Sequence, residues 1–199
     1  QLNQAYWDEF YKRSHRHTPS QFCVSILPEL KENTVIVELG SGNGRDSHYF
    51  ANQGHIAVAM DLSHEAVKRC EEEAKSRNIV HSSFYQGDIT HRGDVEKAVK
   101  HARGLAGDEA VVFYSRFVMH SLDDEQENRL MKVLSEYVKQ NELVYFEFRS
   151  KEDAELEKLF GGHFRRFIDT DLFIRALSDQ YGFSIDYSIT GRGIAKFKE

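Results

Sequence analysis

Glu38 opens the string Glu38-Leu39-Gly40-Ser41-Gly42-Asn43-Gly44, and the apolar run Val35-Ile36-Val37 precedes it. Glycine has no Cβ, so a turn built on it adopts positive φ and lets a ligand approach the backbone closely. The amides at the start of a following helix are free to donate to that ligand. Glu38 adds a carboxylate at a strand end, where an open α/β sheet places its ligand crevice. Asp61 follows the apolar run 55–60, and Asp88 follows 80–86. An acid at the end of the second strand can accept both hydroxyls of a ribose. It can instead cap the next helix, a task for which Ser63 competes. A dinucleotide fingerprint begun at Gly40 would require glycine at position 45, which is Arg45.

A second group of reactive types lies further along. Arg116, His120, Arg149, Arg165, Arg166, Arg192 and Lys196 fall at or beyond strand ends in the second half of the chain. Arginine suits the geometry of an oxyanion. His120 can serve as a general base toward a hydroxyl or as a donor to an oxyanion. It can also be a core histidine bonded to a helix end, and many of the cations can form surface ion pairs.

The elements that position these groups read as alternating strands and helices. Strands are expected at 35–39, 55–60, 80–86, 110–114 and 142–149. Helices are expected at 3–13, from Ser20 to about Leu30, and at 44–53, 63–76, 91–103, 123–139 and 169–181. The 91–103 helix is expected to be polar and exposed. Tyr6, Trp7, Phe10 and Tyr11 recur at helical spacing, which suits a helix stapled to the core or an aromatic lid. Lys12-Arg13-Ser14-His15-Arg16-His17 is a basic run, and His15-x-His17 is too little for a metal site. Gly161-Gly162-His163-Phe164-Arg165-Arg166 reads as a glycine-hinged substrate loop. Residues 183–190 and 193–198 are expected to close the sheet as a hairpin around Gly191.

A chain of 199 residues with two prolines suits one domain, with 1–30 as a helical N-terminal lid and 31–199 as the core. The formal net charge of −6 argues against nucleic acid held by bulk charge. No apolar run is long enough for a membrane span, and no signal-peptide pattern is visible. Cys23 and Cys70 form neither a disulfide framework nor a metal motif. A cytoplasmic enzyme is expected.

The string Glu-x-Gly-x-Gly-x-Gly at 38–44 resembles motif I of class I S-adenosylmethionine (SAM) methyltransferases. The resemblance covers the whole chain. It implies an α/β, Rossmann-like, doubly wound sheet of seven strands, order 3-2-1-4-5-7-6, with strand 7 antiparallel. It implies SAM as cofactor, S-adenosylhomocysteine as product, and no metal. It assigns Glu38, Gly40, Ser41, Gly42, Gly44 and Asp46 to the cofactor, with Asp61, Leu62, Asp88, Ile89 and Ser115. In that family the residue at Asp88 faces the adenine amino group, and the next apolar residue packs on the ring. Tyr6, Trp7, Tyr11 and Phe22 join the cofactor set from the N-terminal segment.

A closer likeness covers residues 6–11, 20–22, 42–47, 115–121, 163–167 and 191–195. It is similar to bacterial small-molecule O-methyltransferases, among them the phosphonate O-methyltransferase of dehydrophos biosynthesis and enzymes that cap a glycan with methyl phosphate. This implies His120 and Arg116 as catalytic residues. It implies Tyr11, Arg149, Arg165, Arg166 and Lys196 around a small anionic acceptor, a phosphonate or phosphate. A sugar hydroxyl acceptor and a non-catalytic SAM-binding protein are the alternatives. The absence of an Asn/Asp-Pro-Pro-aromatic element after residue 114 counts against base N-methylation. No nucleic-acid or membrane partner is expected, and a homodimer is left open.

Overall fold

The computed structural model describes residues 2–11, 18–155 and 166–195. The basic run 12–17, Arg165 with the glycines before it, and Lys196 lie outside the described residues. The five strands are β1 (Val35–Leu39), β2 (Ile56–Asp61), β3 (Ser82–Gln86), β4 (Val111–Arg116) and β5 (Val144–Glu147). They pair in the order β3-β2-β1-β4-β5, every pair parallel.

β1 is central and buried throughout. Its side chains alternate between two faces, as the period of a strand requires. Val35, Val37 and Leu39 pack with Val95, Ala98 and Ala102 of α5 (Arg92–Ala106), Leu130 and Leu134 of α6 (Asp124–Tyr137), and Phe173 and Leu177 of α7 (Thr170–Asp179). Ile36 faces the other way, toward Cys23 and Ile26 of α2 (Gln21–Ile26) and Phe50 of α3 (Arg45–Asn52). α4 (His64–Ser76) lays Val67 and Cys70 on Ala59 and Phe84. Helices therefore cover both faces, the arrangement that buries a parallel sheet. α1 (Leu2–Tyr11) rests on α4.

Local chemistry sets the helix starts. Ser20 Oγ accepts from Cys23 N at 3.1 Å, and Ser63 Oγ accepts from Ala66 N at 3.1 Å. Asp123 and Gln126 close a reciprocal capping box. Ser63, rather than Asp61, is thus the cap of α4.

Two expectations change. The α5 helix is not simply polar and exposed: Val95, Ala98, Val99 and Ala102 form a fully covered stripe at helical spacing. Alanines give that stripe little hydropathy. The closing hairpin is also absent from the described residues, where 183–195 contains no strand. Ile185, Tyr187 and Ile189 alternate as a strand would, yet Ile189 is 75% exposed. Alternation says which side chains share a side; it cannot supply a partner strand or a helix to cover them. Seven strands are therefore not found, and the described sheet has five. Among the described residues no helix is long and apolar enough to cross a membrane.

Candidate active site

The strand register brings the C-terminal ends of β1, β2 and β3 together, with Glu38 opposite Ala59 and Tyr114, and Asp61 opposite Gln86. Between them the glycine loop curls over β2, where the N–H groups of Gly40 and Ser41 both donate to the Met60 carbonyl, at 2.8 and 3.0 Å. Gly40 and Gly42 have φ of +81° and +54°. A Cβ at Gly40 would collide with Val118, and one at Gly42 with the Tyr11 hydroxyl. Both positions thus need glycine for backbone shape and for close approach. Ser41 is buried, and its Oγ has no hydrogen-bond partner among the described residues.

Each acid at this rim is held. Ser47 Oγ donates to Glu38 Oε2. Burial drives Glu38 well above the ordinary carboxylate range; Asp46 and Asp61 add to the shift, and the Ser47 bond opposes it. Asp61 accepts from Gly42 N at 2.8 Å and Ser63 N at 2.9 Å. Burial still raises its pKa, against the pull of those N–H groups. Asp88 Oδ1 accepts from the N–H and hydroxyl of Thr90, at 2.8 and 2.7 Å. Leu62 is partly buried and Ile89 buried beside these acids in sequence. Ser115 Oγ donates to Leu39 O at 3.0 Å and ties the end of β4 to β1.

Two of the expected cofactor residues also have partners within the fold. Asp46 accepts from Ser20 N and Ser20 Oγ, each at 2.7 Å, and from the Tyr114 hydroxyl at 2.7 Å. It is a buried tie between α2, α3 and β4. Phe22 stacks on the Tyr114 ring, with centroids 5.2 Å apart, and packs on the core cluster below.

α1 brings its aromatic face in as one cluster. The Trp7 and Tyr11 rings stack at 5.9 Å, and Tyr6 meets Trp7 edge-on at 5.0 Å. Asp8 anchors the helix by accepting from Ser63 Oγ and from Glu65 N at the start of α4. Arg69 Nη1 donates to the Tyr11 carbonyl at 2.5 Å. Burial, with Asp61 next, pushes the Tyr11 phenol well above its ordinary range, so it stays a neutral donor.

Beyond β4 the chain turns at Phe117, φ +58°. Val118 then lies on Gly40, and Met119–Ser121 forms one 3-10 turn holding His120, which is 4% exposed. Arg116 Nε is 3.5 Å from Glu147 Oε1, and Arg149 Nη1 is 3.2 Å from Asp153 Oδ2. Both guanidinium groups reach the Phe117 ring. Arg166 belongs elsewhere: its guanidinium is clamped by Asp124 and Glu127 of α6. Only its N–H joins the group, donating to the His120 carbonyl at 2.7 Å. Arg192 is exposed. Among the described residues no cluster of His, Cys, Asp or Glu is arranged to hold a metal ion.

The site thus has a half of buried acids over β1–β3 and a half of arginine and histidine beyond β4 and β5, joined where Val118 meets Gly40. Sequence reasoning missed Asp8, Cys70 and Phe117. Cys70 Sγ sits 3.4 Å from the Gly42 carbonyl, and a Cβ at Gly44 would fall 2.6 Å from it. Its one signal was a place on the buried stripe of α4.

Residues 30–102 match the family model described as a methyltransferase domain. By sequence, no curated protein matches the chain. Among solved structures it is similar to phosphoethanolamine N-methyltransferase 1 of Haemonchus contortus, solved with phosphoethanolamine and S-adenosylhomocysteine. The identity there is 16%, the TM-score 0.63, and the coverage 87% of this chain and 38% of that one. It is also similar to the magnesium protoporphyrin IX methyltransferase of Synechocystis PCC 6803, solved with S-adenosylhomocysteine. That match has 14% identity, TM-score 0.59, and covers 89% and 72%. A third, solved in work on converting a disulfide bond into a thioacetal group during echinomycin biosynthesis, has 15% identity, TM-score 0.62, and coverage of 77% and 65%. The chain thus spans less than two thirds of the nematode and echinomycin-pathway proteins. Its architecture is the Rossmann-like fold of SAM-dependent methyltransferases, with the methyltransferase-domain match on residues 30–102.

Proposed function

We propose that the chain is a SAM-dependent O-methyltransferase that methylates an oxygen of a small anionic acceptor, a phosphonate or phosphate. The observation that carries this reading is the electrical division of the site. Glu38 and Asp61 are buried acids whose pKa values are raised, so a cation placed beside them relieves the cost of their charge. The orphaned Ser41 Oγ on the glycine loop fits the polar end of the same ligand. Asp61 and Asp88 would take the ribose and base, and Glu38, Ser41 and Gly42 the amino-acid end. When bound, SAM supplies an electrophilic methyl on a sulfonium, so the chain's part is to position and to exclude water.

Across Val118, Arg116 and Arg149 would hold the acceptor's oxyanion and turn one oxygen toward the methyl. A guanidinium carries five donors, more than Arg116's contact with Glu147 uses. His120 would complete the hold by donating to that anion. A phosph(on)ate oxygen needs no base, whereas a sugar hydroxyl would need His120 neutral to take its proton.

A mass-spectrometric screen with SAM and phosphonates, sugar phosphates and neutral sugars tests the acceptor class, and methylation of neutral sugars alone would overturn it. His120→Ala should lower turnover by about tenfold or more, the loss of one hydrogen bond to a charged group, while leaving SAM affinity near that of the wild type. Equal losses in both would remove His120 from the chemistry.

A further inference from the structure

Among the described residues Phe117 is the one bulky side chain in the left-handed region beside the site, at φ +58°. Glycine or asparagine would adopt that conformation with little strain, whereas an aromatic residue is disfavoured there. Strained backbone of this kind collects at functional sites, where the surrounding structure holds it. Here the hold is visible: Phe117 N donates to Glu147 O at 2.7 Å, extending the β4–β5 ladder one residue past its end. The reversed backbone then turns the ring between two strand ends. Arg116 Cζ lies 4.0 Å from the ring centroid and Arg149 Cζ 5.3 Å. The His120 ring meets it nearly edge-on, at 5.6 Å and 62°.

We infer that Phe117 is a positioning residue, a strained aromatic post on which the guanidinium groups of Arg116 and Arg149 lie and against which His120 is set, so that all three face an anionic acceptor. This rests on the reading above that the acceptor is a phosphonate or phosphate. An aromatic face attracts a guanidinium and fixes its plane, which leaves the edge donors turned outward. The carboxylates of Glu147 and Asp153 contact the same two groups. Without the ring each arginine would be fixed by its acid alone, and the plane of its guanidinium would be free to turn.

The test is calorimetry with methylphosphonate and S-adenosylhomocysteine on the full chain and on Phe117→Tyr, Phe117→Leu and Phe117→Asn. Asparagine tolerates the backbone, so loss of the ring is read there without a folding penalty from φ. The expected result is a methylphosphonate affinity about tenfold weaker in the Leu and Asn variants, near normal in the Tyr variant, with S-adenosylhomocysteine affinity unchanged in all. In turnover the Leu variant should raise the acceptor KM more than it lowers kcat. Affinity retained in the Leu and Asn variants would overturn the inference. So would loss in the Tyr variant equal to that in Leu, or a parallel loss of S-adenosylhomocysteine affinity. Wild-type chain that binds the homocysteine product but not methylphosphonate would overturn the anionic-acceptor reading itself, and this inference with it.

Discussion

At the scale of the residue, Glu38 is buried and bonded to Ser47, with Asp46 and Asp61 close enough to raise its pKa further. A carboxyl whose folded pKa lies above its unfolded value binds more protons when folded. Its stabilising contribution is therefore complete below the ordinary glutamate range and is lost as pH rises through the raised value. Asp61 has the same sign. Glu38→Gln keeps an acceptor for Ser47 and removes the titration. Its melting temperature should gain on the wild type as pH rises from about 4.5 toward neutrality and above. A difference between the two melting temperatures that stays constant over that range would show that Glu38 titrates normally. On the cofactor placement proposed above, the Gln variant should also lose SAM affinity, because no carboxylate then stands beside the cation.

At the scale of the element, α1 is held by Asp8 at one turn and by Arg69 and Gly42 at its end. Ten residues are too short to be stable alone in water, so docking on α4 must supply the order. Asp8 provides it by placing a carboxylate at the α4 N-terminus, where Ser63 and Glu65 N donate and the helix dipole favours negative charge. Asp8→Ala should cost about 1 kcal/mol of docking. It should speed amide exchange across α1 while leaving β1–β4 protected. Because Tyr11 lies on Gly42, saturating SAM should slow exchange in α1. No change on saturation would mean that the helix does not feel the cofactor.

At the scale of the whole molecule, Glu142 joins layers that are distant in sequence. Arg103 of α5 pairs with it, and Val111 N and Lys139 N each donate to it at 2.9 Å. The Glu142 side chain is fully buried and Arg103 is partly buried. Burial alone would raise the Glu142 pKa; the Arg103 bonds and the two N–H groups overcome that and lower it. The sign is opposite to that of Glu38: this stability is present above the ordinary glutamate range and is lost as pH falls through the depressed value. Glu142→Ala should destabilise by about 3–5 kcal/mol at neutral pH, measured by denaturant unfolding. Its deficit relative to wild type should shrink in acid; a constant deficit would deny the ion pair its role.

Much of this was legible in the residues. Val35–Val37 with Glu38 and alternating glycines could only be a buried strand entering a tight turn, because β-branched side chains and missing Cβ atoms are local properties. The caps at Ser20 and Ser63 followed from hydroxyls standing just before helical periodicity. What side chains far apart in the chain do to each other was not legible. Asp46 had the type and place of a cofactor ligand, yet Ser20 and Tyr114 take its oxygens. Arg166 counted as an acceptor cation until α6 brought Asp124 and Glu127 against it. The alternation at 183–190 read as a strand, but a strand exists only where a second one offers its N–H and C=O groups. Local periodicity and backbone stereochemistry therefore determined the elements and the glycine turn. Only the packed fold decided which charges are spent on structure and which remain to face a ligand, because pairing energies fall off within a few ångströms and distance in space is not written in sequence order.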